Sequence, residues 1–308
     1  MADYDPKVAA DSRKKELSDM MVQLEKGVKA VFETDSYKDY LNFCAKFPRY
    51  SVNNQILIML QRPDATMCQS FSGWKVMNRF VKKGEKGIRI LAPAPYKRTI
   101  EQDRLDIYGN PMLGSDGERL KDSIELMTMA FKPVSTFDIS QTGGAPVPSF
   151  GIDELTGYVN GYHRLLDVIK AVVPAPISFE NIRSGAKGHY QIEEDRIVVQ
   201  SDMSEVQTVK TLIHEAAHQA LHSRQAMDAI GATKKSRNQR ETEAESVAYI
   251  VCQHFGIDTA DYSFGYLATW ASDKEVPELK ASLDTIRNTA SDMIEKIEER
   301  WKNNDQYV

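Results

Sequence analysis

One five-residue pattern constrains this chain more than any other: His214-Glu215-Ala216-Ala217-His218, inside the stretch 211–222. Residues four apart share one face of a helix, so two imidazoles one turn apart can grip a single metal ion. Glu215 sits beside that face, placed to take a proton from a water on the metal rather than to be a ligand in the same plane. That is the metallopeptidase reading of the pattern. On average composition a chain of this length carries such a match by accident about once in a hundred, so the context decides. Leu212, Ile213, Ala216, Ala217, Ala220 and Leu221 supply good helix formers and an apolar flank. Ser204 followed by Gln207 reads as a capping box opening the helix. Two His and one Glu on a buried helix need partners, and a metal supplies them.

A catalytic zinc takes three protein ligands and keeps one position open. Glu241-Thr242-Glu243-Ala244-Glu245 begins a second helix, with Ala244, Val247, Ala248, Val251 and Cys252 on its buried face. Glu241 and Glu245 lie four apart, as the two His do, and either is a candidate carboxylate ligand. If Glu241 ligates, Glu245 is placed to orient a ligating His through its other ring nitrogen. Glu243 points elsewhere and is expected to be solvated. His222 follows His218 too closely for a later-His ligand pattern and reads as packing or surface. Zinc is favoured by affinity order, and manganese would also accept two imidazoles and a carboxylate.

The 308 residues suffice for two domains, and 42% hydrophobic with 27% charged residues fits a water-soluble globular class. The fold class reads as α+β, with domains at 1–142 and 150–308 joined by a linker over 141–148. The net charge of −5 makes the whole molecule no general magnet for nucleic acid. Cys44, Cys68 and Cys252 are odd in number and far apart, which excludes a disulfide framework and suits a reducing cytoplasm. The first residues are polar and acidic, unlike a signal peptide. No run of eighteen apolar residues exists to span a membrane.

Along the first half, 13–33 reads as an amphipathic helix with Leu17, Met20, Met21, Leu24, Val28, Val31 and Phe32 inward. A second helix runs from Tyr37 to Phe47, ended by Pro48, and a third follows a cap at Ser51 or Asn53. Tyr50, Asn53 and Gln55 have an ordinary reading as capping and turn residues. The segment 81–90 reads as a hairpin with a basic tip of Lys82, Lys83 and Lys86 around Gly84 and Gly87. Basic side chains beside exposed aromatics suit single-stranded nucleic acid, with Trp74 and Phe71 nearby; the competing reading buries Trp74 in a core. Residues 99–122 read as a polar, mobile excursion, and 123–139 returns to strand composition. In the second half a helix over 152–171, with Leu155 and Val159 inward, precedes strands at 177–182, 189–194 and 196–200. The last two form a hairpin whose edge could pair with an extended peptide. An aromatic segment (Tyr262, Ser263, Phe264, Tyr266, Trp270) follows a basic loop of Lys234, Lys235, Arg237 and Arg240, and a long helix covers 276–302.

Two groups of motifs carry a family resemblance. Tyr50-Ser51-x-Asn53-x-Gln55-x-Leu57-Ile58, Gln61-x-Pro63-x-Ala65-Thr66, Trp74, Lys83-Gly84-Glu85-Lys86-Gly87-Ile88 and Phe137-Asp138-Ile139-Ser140-Gln141-Thr142 resemble the amino-terminal domain of ArdC-type antirestriction proteins. That domain is a single-stranded-DNA-binding module found also in plasmid primases. The second half resembles the zincin-like, gluzincin-type metallopeptidase domain that follows it and, more distantly, the ImmA/IrrE peptidases. The resemblance implies Glu241 as third metal ligand with His214 and His218, and Glu215 as general base. It implies a DNA-contacting set of Tyr50, Asn53, Gln55, Trp74, Lys82, Lys83 and Lys86. It also implies a mobile-element protein that protects transferred DNA from restriction, with restriction-system subunits among the candidate peptide substrates. The rival is a non-catalytic shield on single-stranded DNA whose metal only braces the fold.

Overall fold

Alternation of apolar and polar positions decides which segments of this computed structural model are helix and which are strand. The structure describes residues 6–147, 159–229, 235–257, 259, 262, 264, 267, 271 and 274–305. The architecture is α+β. In chain order the elements are α1 (Pro6–Val31), α2 (Thr34–Lys46), α3 (Val52–Gln61), β1 (Cys68–Gln69), α4 (Phe71–Val76), β2 (Arg79–Val81), β3 (Ile88–Pro93) and β4 (Tyr96–Asp103). There follow β5 (Lys121–Thr128), β6 (Phe131–Asp138), a 3-10 turn (Ile139–Gln141), β7 (Thr142–Gly144), α5 (Val159–Val172), β8 (Ile177–Glu180), β9 (Gly188–Gln191) and β10 (Arg196–Gln200). The chain then forms α6 (Glu205–His222), α7 (Arg224–Ala229), α8 (Arg237–His254) and α9 (Val276–Asp305). Leu155, Lys234, Ser263, Tyr266 and Trp270 lie outside the described residues.

The chain forms two compact units. One comprises the described residues of Met1–Met20 and Arg89–Ser135; the other, those of Met21–Ile88 and Thr136–Val308. In the first, β4 and β5 pair antiparallel without a break from Tyr96↔Thr128 to Asp103↔Lys121. The ribbon continues through the bridges Leu105↔Pro111 and Leu113↔Arg119. The polar excursion expected at 99–122 is therefore in part paired strand, with turns between the paired residues. Its side chains are polar because this ribbon faces water, not because its backbone lacks partners. Within the same unit Arg89 Nε donates to Glu16 Oε1 at 2.6 Å, and Arg89 Nη1 to Ser135 Oγ at 2.8 Å.

In the larger unit, Ser51 caps α3 by accepting from the Asn54 N–H. Leu24, Val28, Val31 and Phe32 are buried, but Met21 is 46% exposed because it falls off the inward stripe. The 81–90 hairpin does not form: β2 pairs with β7 in one sheet, whereas β3 belongs to another. The partner of β2 comes from Thr142-Gly143-Gly144, which the composition marks as linker. Gly144 adopts φ 124°, and a Cβ there would meet the Asn78 carbonyl at 2.5 Å, so glycine serves a backbone crossing here. Beside it β1 pairs with the end of β6, Cys68 opposite Asp138.

The second half places β10 between β8, parallel to it, and β9, antiparallel to it. Asp195, in the turn between β9 and β10, takes φ 46°. Ile197, Val198 and Val199 of β10 are buried, and α6 packs across β9 and β10. The other flank of α6 rests on α8, which in turn carries α9 and α2. Two buried hydroxyls lock α2 to α8: Tyr37 shares a 2.7 Å hydrogen bond with Ser246, and Tyr249 donates to Asn42 Oδ1 at 2.7 Å.

Candidate metal centre and basic surface

Helix α6 starts at Ser204, whose hydroxyl accepts from the Gln207 N–H. The Gln207 side chain does not complete a box; its Nε2 donates to Thr211 and its Oε1 accepts from Lys187. Leu212, Ile213, Ala216, Ala217 and Leu221 are buried, which turns His214 and His218 toward α8 and a cleft. Their Nε2 atoms stand 3.1 Å apart. From α8, Glu241 brings Oε2 to 3.4 Å from His218 Nε2 and 4.0 Å from His214 Nε2.

These distances can be compared with chemistry. A tetrahedral ion with bonds of about 2.1 Å separates its donors by about 3.4 Å. The three separations bracket that value, and the three donor atoms are the one such group among the described residues. Two imidazole nitrogens at 3.1 Å also cannot face each other as bare lone pairs; a proton or a cation must lie between them. The residues therefore fit a divalent ion.

Electrostatics agrees with that arrangement. Burial, reinforced by His218 and opposed by Glu241, drives the His214 pKa down to about 4, so the ring is a neutral donor at pH 7. A hydrogen bond from His218 holds the Glu241 carboxyl below its ordinary value despite burial. Glu245 Oε2 lies 3.3 Å from His214 Nδ1, on the side away from Glu241, and burial followed by the Glu241 charge raises its carboxyl. Glu215 is 6% exposed, and burial pushes its pKa up to about 7, with the Tyr190 backbone N–H opposing.

Glycine 188 sets how closely β9 approaches α6. A Cβ there would stand 2.6 Å from Thr211 Cγ2 and 3.1 Å from Glu215 Cγ. This residue escapes motif reading, since a glycine in a strand can mark a bulge or a bend as well as a close backbone approach. Two cavities meet at Gly188 and Glu215. One, of about 330 Å³, is walled by Lys187, Lys210, Thr211, His214, Glu245 and Tyr262. The other, of about 400 Å³, is walled by His189, Tyr190, His218, His222, Arg237, Arg240 and Glu241.

Two acidic or imidazole residues near the centre serve packing. His222 is 3% exposed and its Nε2 contacts the Arg240 carbonyl at 3.3 Å, outside the donor cluster. Glu243, expected to be solvated, is 1% exposed and pairs with Lys235 Nζ at 2.7 Å while accepting from Gln239. The pairing answers the cost of burying a carboxylate, and position on the helix alone does not reveal it.

The proposed DNA-contacting set divides. Lys82, Lys83 and Lys86 are exposed on the loop between β2 and β3, where Gly84 turns the chain with φ 89°. Gln141 Nε2 braces that loop by donating to Glu85 Oε2 and the Lys86 carbonyl. Trp74 is fully buried, with its indole N–H on the Phe137 carbonyl at 2.8 Å, so it cannot stack on a base. Gln55 is likewise fully buried: it accepts from the Tyr40 hydroxyl at 2.9 Å and donates to the Phe47 carbonyl at 2.8 Å. Both are core residues. Tyr50 is half-buried with its hydroxyl on the Cys68 carbonyl, and Asn53 is half-buried on α3. The exposed rings in this region are Phe71 (61%) and Phe80 (63%). Phe80 is identified only by β2 alternating outward two residues before Lys82.

Among the described residues no helix is long and apolar enough to cross a membrane. Residues 10–133 match the family model of the N-terminal domain of anti-restriction factor ArdC. An uncharacterized Bacillus anthracis protein is 28% identical over 300 residues, covering 86% of this chain and 49% of its own length. The chain thus spans about half the length of that curated relative. Two crystal structures of the antirestriction ArdC protein from plasmid R388, metal-free and Mn(II)-bound, align with TM-score 0.48 at 19% and 18% identity. Each covers 82% of this chain and 86% of the other.

Proposed function

We propose that this chain, which carries the N-terminal domain of the ArdC anti-restriction family at residues 10–133, joins single-stranded-DNA binding to metal-dependent peptide hydrolysis. The observation that carries the hydrolytic half is the donor triangle of His214, His218 and Glu241 with Glu215 beside it. Zinc suits this donor set by affinity order, and manganese is the alternative. When bound, such an ion supplies Lewis acidity toward a carbonyl and toward water. Glu215 then acts as general base: its carboxylate takes the proton of the attacking water and returns it to the leaving amine. Glu245 holds His214 through Nδ1, fixing the ring so that Nε2 faces the ion. The edge strand β9 offers backbone groups to an extended peptide alongside.

The DNA half belongs to the stretch 1–142 and the hydrolytic half to 150–308. Lys82, Lys83 and Lys86 would follow phosphates, with the exposed Phe80 and Phe71, not the buried Trp74, as stacking platforms. In the cytoplasm of a recipient cell, such a protein would meet entering single-stranded DNA together with restriction-system subunits, the candidate peptide substrates.

The test uses purified, metal-analysed full chain, incubated with restriction subunits with and without single-stranded DNA, beside Glu215→Gln. Cleavage by the wild type that is abolished in Glu215→Gln supports the reading. Tight DNA binding with no cleavage, and unfolding on chelation, would instead establish a shield braced by its metal.

A further inference from the structure

We infer that the cleft beside the donor triangle contains a receptor for a carboxylate, so that the peptide substrate is acidic next to its cleaved bond. The inference deepens the peptidase reading and rests on it for the identity of the ligand as a substrate. Arg237 and Arg240 open α8, and Arg237 lies one turn before Glu241. Both line the 400 Å³ cavity that also contains Glu215 and His218. Other arginines here meet carboxylates: Arg196 meets Glu180, Arg119 meets Asp103, and Arg89 meets Glu16. Neither the Arg237 nor the Arg240 guanidinium makes a hydrogen bond or ion pair to a described residue. Arg240 Nε is, in addition, shut off from solvent and has no acceptor among the described residues. A buried N–H of that kind costs free energy until an acceptor arrives.

Charge counting points the same way. Glu215 and Glu241 are the carboxylates of this cavity, and a bound dication cancels their two negative charges. The two guanidiniums, Arg237 also acting on Glu241, then carry the excess positive charge of the described lining. A guanidinium presents a planar fork that matches a carboxylate through two parallel N–H···O bonds. The same cavity is walled by His189 and Tyr190 of β9, an edge strand whose one sheet neighbour among the described residues is β10. An extended peptide lying along that edge brings a nearby side chain or terminus to the arginines, which favours a peptide carboxylate over a phosphate.

The test is fluorescence anisotropy with the metal-loaded full chain and three labelled Gly/Ala heptapeptides. One is amidated with a single Glu, one is amidated and neutral, and one is neutral with a free C-terminal carboxylate. The expected result is binding about tenfold or more tighter for a carboxylate-bearing peptide than for the neutral amidated one. Gain confined to the Glu peptide identifies a side-chain receptor; gain confined to the free terminus identifies a terminal one. The Arg237→Gln/Arg240→Gln variant is expected to lose the preference while keeping wild-type metal content. If the double variant does not fold, Arg237→Gln alone, at an exposed position, is expected to lose at least about threefold. Equal binding of all three peptides, or a preference that survives both variants, overturns the inference. So does an oligonucleotide whose affinity falls in the variant as far as that of the acidic peptide, which would make this a phosphate site. Acidic peptides bound but never cut would defeat the peptidase reading and leave the receptor standing; neutral peptides bound and cut equally well would do the reverse.

Discussion

Replacing Gly188 by alanine tests whether close approach of β9 to α6 positions Glu215, the proposed general base. The added methyl would lie 2.6 Å from Thr211 Cγ2, 3.1 Å from Glu215 Cγ and 3.1 Å from the Val198 carbonyl oxygen. Carbon atoms in contact prefer about 3.5–4.0 Å, so the strand and the helix must part by about 1 Å on that side. Overpacking of this kind costs about 1–3 kcal/mol of stability. A misplacement of about 1 Å in a catalytic group costs about a hundredfold in rate. The assay pairs urea denaturation with kcat/KM on whatever peptide substrate is established. Thr211→Ser in the same background removes Cγ2 yet keeps the hydroxyl that accepts from Gln207. It should recover part of both losses, the Val198 contact remaining. An unchanged Gly188→Ala protein, or a Thr211→Ser change that restores nothing, would refute the steric argument.

Other perturbations separate the roles assigned above. Glu241→Gln should lower metal affinity more than Glu245→Gln, for which about 10–100-fold is expected by calorimetry; the reverse order would exchange their roles. Glu215→Gln should keep the metal and lose about 10²–10⁴ in rate. Changing Lys82, Lys83 and Lys86 together to alanine should reduce the salt slope of oligonucleotide binding by about 2. Phe80→Ala should weaken binding by about 1–3 kcal/mol at unchanged stability, whereas Trp74→Ala should cost about 3–5 kcal/mol of stability. Burial would raise the Asp138 carboxyl, but hydrogen bonds from Ser140, Thr66 and Met67 outweigh it and hold the group below its ordinary range. The folded state then binds its proton less readily than the unfolded one. Stability from Asp138 is therefore complete above the unfolded pKa of about 3.9 and lost as pH falls through the lower folded value. Asp138→Asn should flatten that part of a pH-dependent denaturation series.

Helix α6 was legible because its signal is local: Ser204, the apolar flank and the two His are read within one segment. The α+β class and the strands of the second half were legible by the same periodicity. What eluded reading depends on partners distant along the chain. The β2–β7 pair joins residues about sixty positions apart, so Thr142-Gly143-Gly144 looked like linker and 81–90 looked like a hairpin. Trp74 and Gln55 carry polar atoms whose acceptors and donors, at Phe137, Tyr40 and Phe47, appear only after folding. Glu243 looked solvated because nothing in its helix announces Lys235.

Helix α8 is where these threads meet. One side of it carries Glu241 and Glu245; another carries Ser246 and Tyr249, tied to Tyr37 and Asn42 of α2. Severing the chain after residue 142 would therefore leave α8 without the α2 that packs on it. It would strip a wall from the rod that holds the carboxylates, leaving Tyr249 without its amide acceptor and Ser246 without its phenol. The acids facing His214 thus share one helix with the groups that anchor α2.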